Sequence, residues 1–128
     1  MEIKLCSAKG CLFARRTRVV LHEKGADFEA SEVDFRNKSE EFLRASPTGK
    51  VPVIVADGDS LYESNVVNQF LDEVYEEPKL MPEDPKARAY ARIWMARADD
   101  DFYPQVFVSG MGRERDFSEE GSRRLWRN

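Results

Sequence analysis

Histidine, cysteine and long apolar runs are scarce in this 128-residue chain, and each scarcity excludes a class of protein. The one histidine, His22, lies between Leu21 and Glu23 and makes no metal-ligand set with Cys6 and Cys11, the only cysteines. Their spacing is not that of a C-x-x-C pair, and two cysteines supply no disulfide framework. No apolar run approaches the roughly 20 residues a membrane span requires, so the chain reads as soluble, with no membrane as partner. Met1-Glu2-Ile3-Lys4-Leu5 carries an early acid and no apolar core of a secretory signal, so free thiols in a reducing cytoplasm are expected. Positive charge is not in excess either. Twenty Lys+Arg against 24 Asp+Glu leave a net charge of −4, which gives no reason to expect a nucleic-acid partner.

What is present is enough apolar material for one core, at 41% hydrophobic and 11% aromatic residues, in a length that makes one domain and a remainder. Ile3 to Cys6 reads as a strand, broken by Ser7-Ala8-Lys9-Gly10. A helix follows with Leu12, Phe13, Val19, Val20 and Leu21 as its apolar positions, Arg15, Arg16 and Arg18 on its polar side, and Gly25 as its C-terminal cap. Phe28 to Asp34 alternates imperfectly and reads as an edge strand. Ser39 to Ala45 is a short helix. Val51 to Ala56 is the strongest strand signal, and Asp57-Gly58 turns it back into Asp59-Ser60-Leu61-Tyr62. Ser64 then caps a helix whose stripe is Val66, Val67, Phe70, Leu71, Val74 and Tyr75.

The order β-α-β-α-β-β-α predicts a mixed four-stranded sheet flanked by helices. Three prolines between Glu76 and Pro85 mark a linker, and a second helical region runs from Lys86 to about Val108. Its apolar residues, Trp94 and Phe102 among them, are expected to pack on the first domain or on a partner chain, because a lone amphipathic helix cannot bury them. Gly110 to Asn128, with Phe117, Leu125 and Trp126, reads as a loop and one further helix.

Chemistry concentrates at two helix starts. Cys11 stands where unpaired N–H groups and the helix dipole favour an anion, with Lys9, Arg15 and Arg16 nearby, and these favour the reactive thiolate. Cys6, inside its strand, reads as a core residue, and His22 as a surface one. Glu63 and Ser64 either end a strand and cap a helix or, alternatively, hold a carboxylate at the second helix start. Val51-Pro52 opens a strand, a position where a sheet tolerates proline.

Taken in order, Cys11-Leu12-Phe13-Ala14, Arg18-Val19-Val20-Leu21, Asn37-Lys38-Ser39-Glu40-Glu41-Phe42, Gly49-Lys50-Val51-Pro52-Val53-Ile54, Leu61-Tyr62-Glu63-Ser64 and Leu80-Met81-Pro82-Glu83-Asp84-Pro85 resemble the N-terminal half of cytosolic glutathione transferases. The pattern is most similar to the cysteine-bearing omega class and to the bacterial stringent starvation protein A group. Leu12 stands where the omega pattern has proline, and Glu76-Glu77-Pro78-Lys79 stands where the starvation proteins carry a Pro-His-Pro motif.

The resemblance implies a thioredoxin-like domain over residues 1–77, a linker over 78–85, and the truncated start of an all-helical domain over 86–128. It implies glutathione as co-substrate, no metal, and Cys11 as the group that attacks or forms a mixed disulfide with it. Phe13 would line the pocket, Lys38 would reach the glycine carboxylate, and Val51 would pair its backbone with the cysteinyl residue ahead of a cis Pro52. Glu63 and Ser64 would hold the γ-glutamyl end. The implied function is a glutathione-dependent thiol transferase acting on a small electrophile or mixed disulfide, as a homodimer. The starvation-protein likeness implies instead a non-catalytic regulator that binds RNA polymerase.

Overall fold

The computed structural model describes the backbone of residues 1–110 and the side chains of residues 1–106; the loop and helix expected beyond them lie outside the described residues. It divides into two units, Met1–Met81 and the residues from Pro82 onward. The first unit contains β1 (Ile3–Ser7), α1 (Leu12–Glu23), β2 (Glu29–Glu32), α2 (Glu40–Ala45), β3 (Val53–Ala56), β4 (Asp59–Tyr62) and α3 (Ser64–Val74). This is the expected element order, with the sheet arranged β2-β1-β3-β4. β1 and β2 are parallel, whereas β3 runs antiparallel to both β1 and β4. The fold is thioredoxin-like.

Period-two alternation divides the core between the faces of the sheet. Ile3 and Leu5 of β1 and Ile54 and Ala56 of β3 point to one face, where Leu21 of α1 and Val67 and Leu71 of α3 complete a buried cluster. Val53 points to the other, with Val51, Phe42 and Ala45, and Cys6 packs against them. Cys6 is half-buried and accepts a long hydrogen bond from Ser31 Oγ at 3.7 Å, so it lies at the margin of the core rather than within it. All four residues of β2 are exposed, as an edge strand allows.

Three local expectations shift. The α3 stripe is rotated from the one the apolar residues suggest: Ser64, Val67, Leu71 and Asp72 are buried, while Val66 and Val74 are exposed. Polar residues take core-facing positions because partners on α1 satisfy them, as Thr17 Oγ1 does by donating to Asn68 Oδ1 at 2.8 Å. α3 is capped by Glu63, and Ser64 is its first residue. β3 begins at Val53, two residues after Val51, and the Val51–Pro52 peptide is cis.

Lys24 and Asp72 form a buried ion pair between the end of α1 and α3. Lys24 Nζ also donates to the carbonyls of Tyr75 and Pro78, and Asp72 accepts from the N–H groups of Leu80 (2.8 Å) and Met81 (3.0 Å). Between them they fix the irregular segment that follows α3. Burial pushes the Asp72 carboxyl up, but hydrogen bonds from Lys24, Leu80 and Met81 and the charge of Lys24 outweigh it, holding the group below its ordinary value.

In the second unit Asp84 caps α4 (Pro85–Arg97) by accepting from Ala87 N at 2.7 Å, with Pro85 at the first helical position. A π-helical turn (Ala98–Phe102) continues into α5 (Tyr103–Gly110). Trp94 and Phe102, expected to pack on the first domain or on a partner chain, are exposed in the single chain. No residue of α4 is buried and Trp94 is 73% exposed.

Candidate functional site

The sheet register brings four chain segments to one end. Cys6 pairs with Val53, Val53 with Tyr62, and Ser7 with Glu32. The C-terminal ends of β1, β2 and β4 and the N-terminal end of β3 therefore lie side by side. From these ends emerge the Ala8–Cys11 loop, the segment carrying Lys38, Val51-Pro52, and Glu63-Ser64. Every site residue expected from the sequence thus sits on the same rim or on the first turn of a helix leaving it.

Cys11 is the N-cap of α1. Its N–H donates to Ala8 O at 3.1 Å and its carbonyl accepts from Arg15 N at 3.0 Å, while its thiol makes no capping hydrogen bond. The side chain is half-buried against the cluster that holds Val51. It also lines a cavity of about 270 Å³ with Lys9, Leu12, Arg15, Arg18 and Glu32. Lys38 Nζ donates to Gly49 O at 3.1 Å and stands 5.3 Å over the Phe35 ring, which fixes its ammonium beside the loop that leads into Val51.

Arg16 is the residue the sequence reading misplaced. It turns away from the polar side to meet α3, where its guanidinium donates to Ser64 Oγ, from Nε at 3.0 Å and also from Nη2. The same group stacks over the Phe13 ring at 5.0 Å, so Phe13, Arg16 and Ser64 form one connected set between two helix starts. The signal was present in the periodicity: Phe13, Arg16, Thr17, Val20, Leu21 and Lys24 share one stripe of α1, and all but the first two lie among apolar or buried neighbours.

Glu63 has φ 67° and ψ 105°, outside the regions a non-glycine residue favours, at a cost on the order of 1–3 kcal/mol. Its carbonyl accepts from Val67 N at 2.9 Å and starts α3. A Glu63→Gly variant is accordingly expected to unfold at a higher urea concentration, by roughly 1 kcal/mol of stability, since glycine adopts this geometry freely. Equilibrium denaturation checks this, and an unchanged or lowered midpoint would contradict the strain.

The rim thus carries a thiol at the start of α1 and an arginine–serine pair at the start of α3. The sequence model of the family described as Glutathione S-transferase, N-terminal domain, matches residues 10–74, half of the chain. The chain belongs to the glutathione S-transferase family. Among its relatives, Glutathione S-transferase U7 of Arabidopsis thaliana is 35% identical over 127 residues, covering 97% of this chain and 56% of the relative. A stringent starvation protein A homolog of Haemophilus influenzae is 33% identical over 112 residues, covering 88% and 53%. Among solved structures, a rice GST1 in complex with glutathione superposes with a TM-score of 0.82 at 31% identity, covering 98% of this chain and 59% of that one. The chain thus spans little more than half the length of these glutathione transferase relatives. Among the described residues no helix is long and apolar enough to cross a membrane.

Proposed function

We propose that the chain is a glutathione-dependent thiol transferase whose nucleophile is the Cys11 thiolate, built on a glutathione-binding domain of residues 1–77, with 78–85 as linker and 86–128 as the start of a helical domain. The observation that carries this reading is the position of Cys11 as the N-cap of α1, on the rim it shares with the Arg16–Ser64 pair. The helix start supplies N–H donors and a positive dipole to the thiolate, and the half-buried side chain leaves a face open to the cavity. Support for glutathione comes from the rice relative, whose structure holds it.

In this reading the γ-glutamyl carboxylate lies at Ser64 and the N-terminus of α3, where the Arg16 guanidinium adds charge. Glu63 takes the γ-glutamyl amine, Val51 pairs with the cysteinyl backbone beside Pro52, Lys38 reaches the glycine carboxylate, and Phe13 lines the pocket. Cys11 attacks the glutathionyl sulfur of a mixed disulfide. A new S–S bond forms, the old one breaks, and the substrate thiolate departs and takes a proton from water. A second glutathione displaces Cys11, releasing glutathione disulfide. Conjugation to a small electrophile is the other outcome of the same thiol site. We place the protein in the cytoplasm as a homodimer.

Arg16→Met keeps the stem over Phe13 and removes the charge. It is expected to weaken glutathione binding about tenfold, the effect of losing one charge-assisted contact of roughly 1.4 kcal/mol. Titration calorimetry with reduced glutathione tests both this and the reading itself. Saturable heat with wild-type protein supports a glutathione site, and absence of any heat or amide chemical-shift change sinks it. That second result would favour a non-catalytic regulator binding RNA polymerase, a reading supported by the likeness to the stringent starvation protein A homolog.

A further inference from the structure

The first turns of α1 present two faces to the rim. Phe13 and Arg16 face α3 and Ser64, whereas Leu12 and Arg15, each one residue or about 100° from one of them, and Arg18, two residues or about 200° on from Arg16, line the cavity beside Cys11. The proposed glutathione carboxylate occupies the first face. The cavity is left for whatever is joined to glutathione.

Its charge is the reverse of the chain's. Arg18 donates to Ser7 Oγ at 3.1 Å and pairs with the Glu32 carboxylate, so these two charges are matched within the protein. Lys9 and Arg15 are exposed at the same cavity and take part in no ion pair among the described residues. The cavity therefore carries an excess of two positive charges in a chain whose net charge is −4. Leu12 supplies an apolar wall beside them.

We propose that this cavity selects an anionic second substrate: a glutathionyl mixed disulfide whose other half carries a carboxylate or phosphate that Lys9 and Arg15 bind. This rests on the Cys11 reading above. Attack of the Cys11 thiolate on the glutathionyl sulfur joins the two sulfurs and breaks the substrate's S–S bond. The released thiolate, now bearing at least two negative charges, leaves past the same two cations and is protonated by water. Lys9 and Arg15 are specificity-determining residues in this scheme, not participants in bond making.

The test needs no turnover. Wild-type protein is alkylated with iodoacetate or with iodoacetamide, and the rate at each cysteine is read by peptide mass spectrometry. In either reaction the sulfur–carbon bond forms as iodide leaves, so the ratio of the two rates reports the local field and not the thiolate fraction. Cys6 is an internal control, since it lines another cavity, bordered by Lys4 against Glu29, Glu32, Asp34 and Glu41 and by neither Lys9 nor Arg15. The iodoacetate-to-iodoacetamide ratio is expected to be higher at Cys11 than at Cys6 by at least about threefold, as two exposed cations within a Debye length would give. Lys9→Gln with Arg15→Gln should abolish the difference at Cys11 and leave the ratio at Cys6 unchanged, and 0.5 M salt should shrink it. Equal ratios at the two cysteines, a ratio that survives the double substitution, or no labelling of Cys11 by either reagent would overturn the proposal. If the ratios behave as stated while Cys11→Ser retains thiol transfer, the field is established and the catalytic reading alone fails.

Discussion

Cys11→Ser is expected to lower thiol transfer from a glutathionyl mixed disulfide at least about 100-fold, the low end of what loss of a nucleophile does. The affinity for reduced glutathione should stay within about threefold, because its proposed carboxylate site at Ser64 and Arg16 is separate. Serine is nearly the size of cysteine, and its hydroxyl is not ionised near neutral pH, so attack at sulfur stops while the shape of the rim is kept. Misfolding will not account for the loss. The thiol makes no capping hydrogen bond at the start of α1, whereas a serine there can accept one from the first turn. The variant should therefore melt at the same temperature or slightly higher, by up to about 1 kcal/mol of stability. A coupled glutathione disulfide assay run beside a thermal melt reads both. Retained thiol transfer would remove Cys11 from the mechanism, and lost activity with a lowered melting temperature would leave the fold as the cause.

The element boundaries that carry the candidate site are legible in the sequence and the side-chain wiring between them is not. Cys11 before an apolar helix, Val51-Pro52 before a strand, and Glu63-Ser64 before another helix are local signals, and each falls at a boundary the structure has within two residues. That these boundaries meet follows from register, once the Asp57-Gly58 turn pairs β3 with β4 and the crossover places β1 beside β2. Arg16 shares the stripe of Thr17, Val20 and Leu21, so its inward turn is legible locally, but its partner Ser64, 48 positions away, is not. The same holds for Thr17 with Asn68, and it explains the rotated face of α3. Apolar residues alone point to one stripe, while Ser64 and Asp72 are buried through bonds to distant groups on α1 and at its end. Lys24 gave still less warning, since a lysine near a helix end ordinarily reads as exposed.

Lys24→Met and Asp72→Asn are each expected to destabilise the first unit by about 3–5 kcal/mol, the range for removing one partner of a buried ion pair. Lys24 is fully buried and Asp72 nearly so, and the lost partner leaves an unmatched charge with no water to take its place. Asp72→Asn also forfeits an acceptor for Leu80 or Met81, and Lys24→Met orphans the carbonyls of Tyr75 and Pro78. The segment after α3 should then open, which limited proteolysis between residues 75 and 81 detects. The double variant, with neither charge, should be less destabilised than the sum of the singles, by 1 kcal/mol or more on the order of a contact pair's coupling. Acid provides an independent check on the sign. The folded Asp72 carboxyl is held below its ordinary 3.8, so its contribution is complete above that value and is lost as pH falls through the lowered one. The gap in urea midpoint between wild type and Asp72→Asn should therefore be constant from pH 7 to about pH 5 and narrow towards pH 2. A gap that stays constant to pH 2, or a double variant as unstable as the summed singles, would show that the pair is not coupled as its geometry requires.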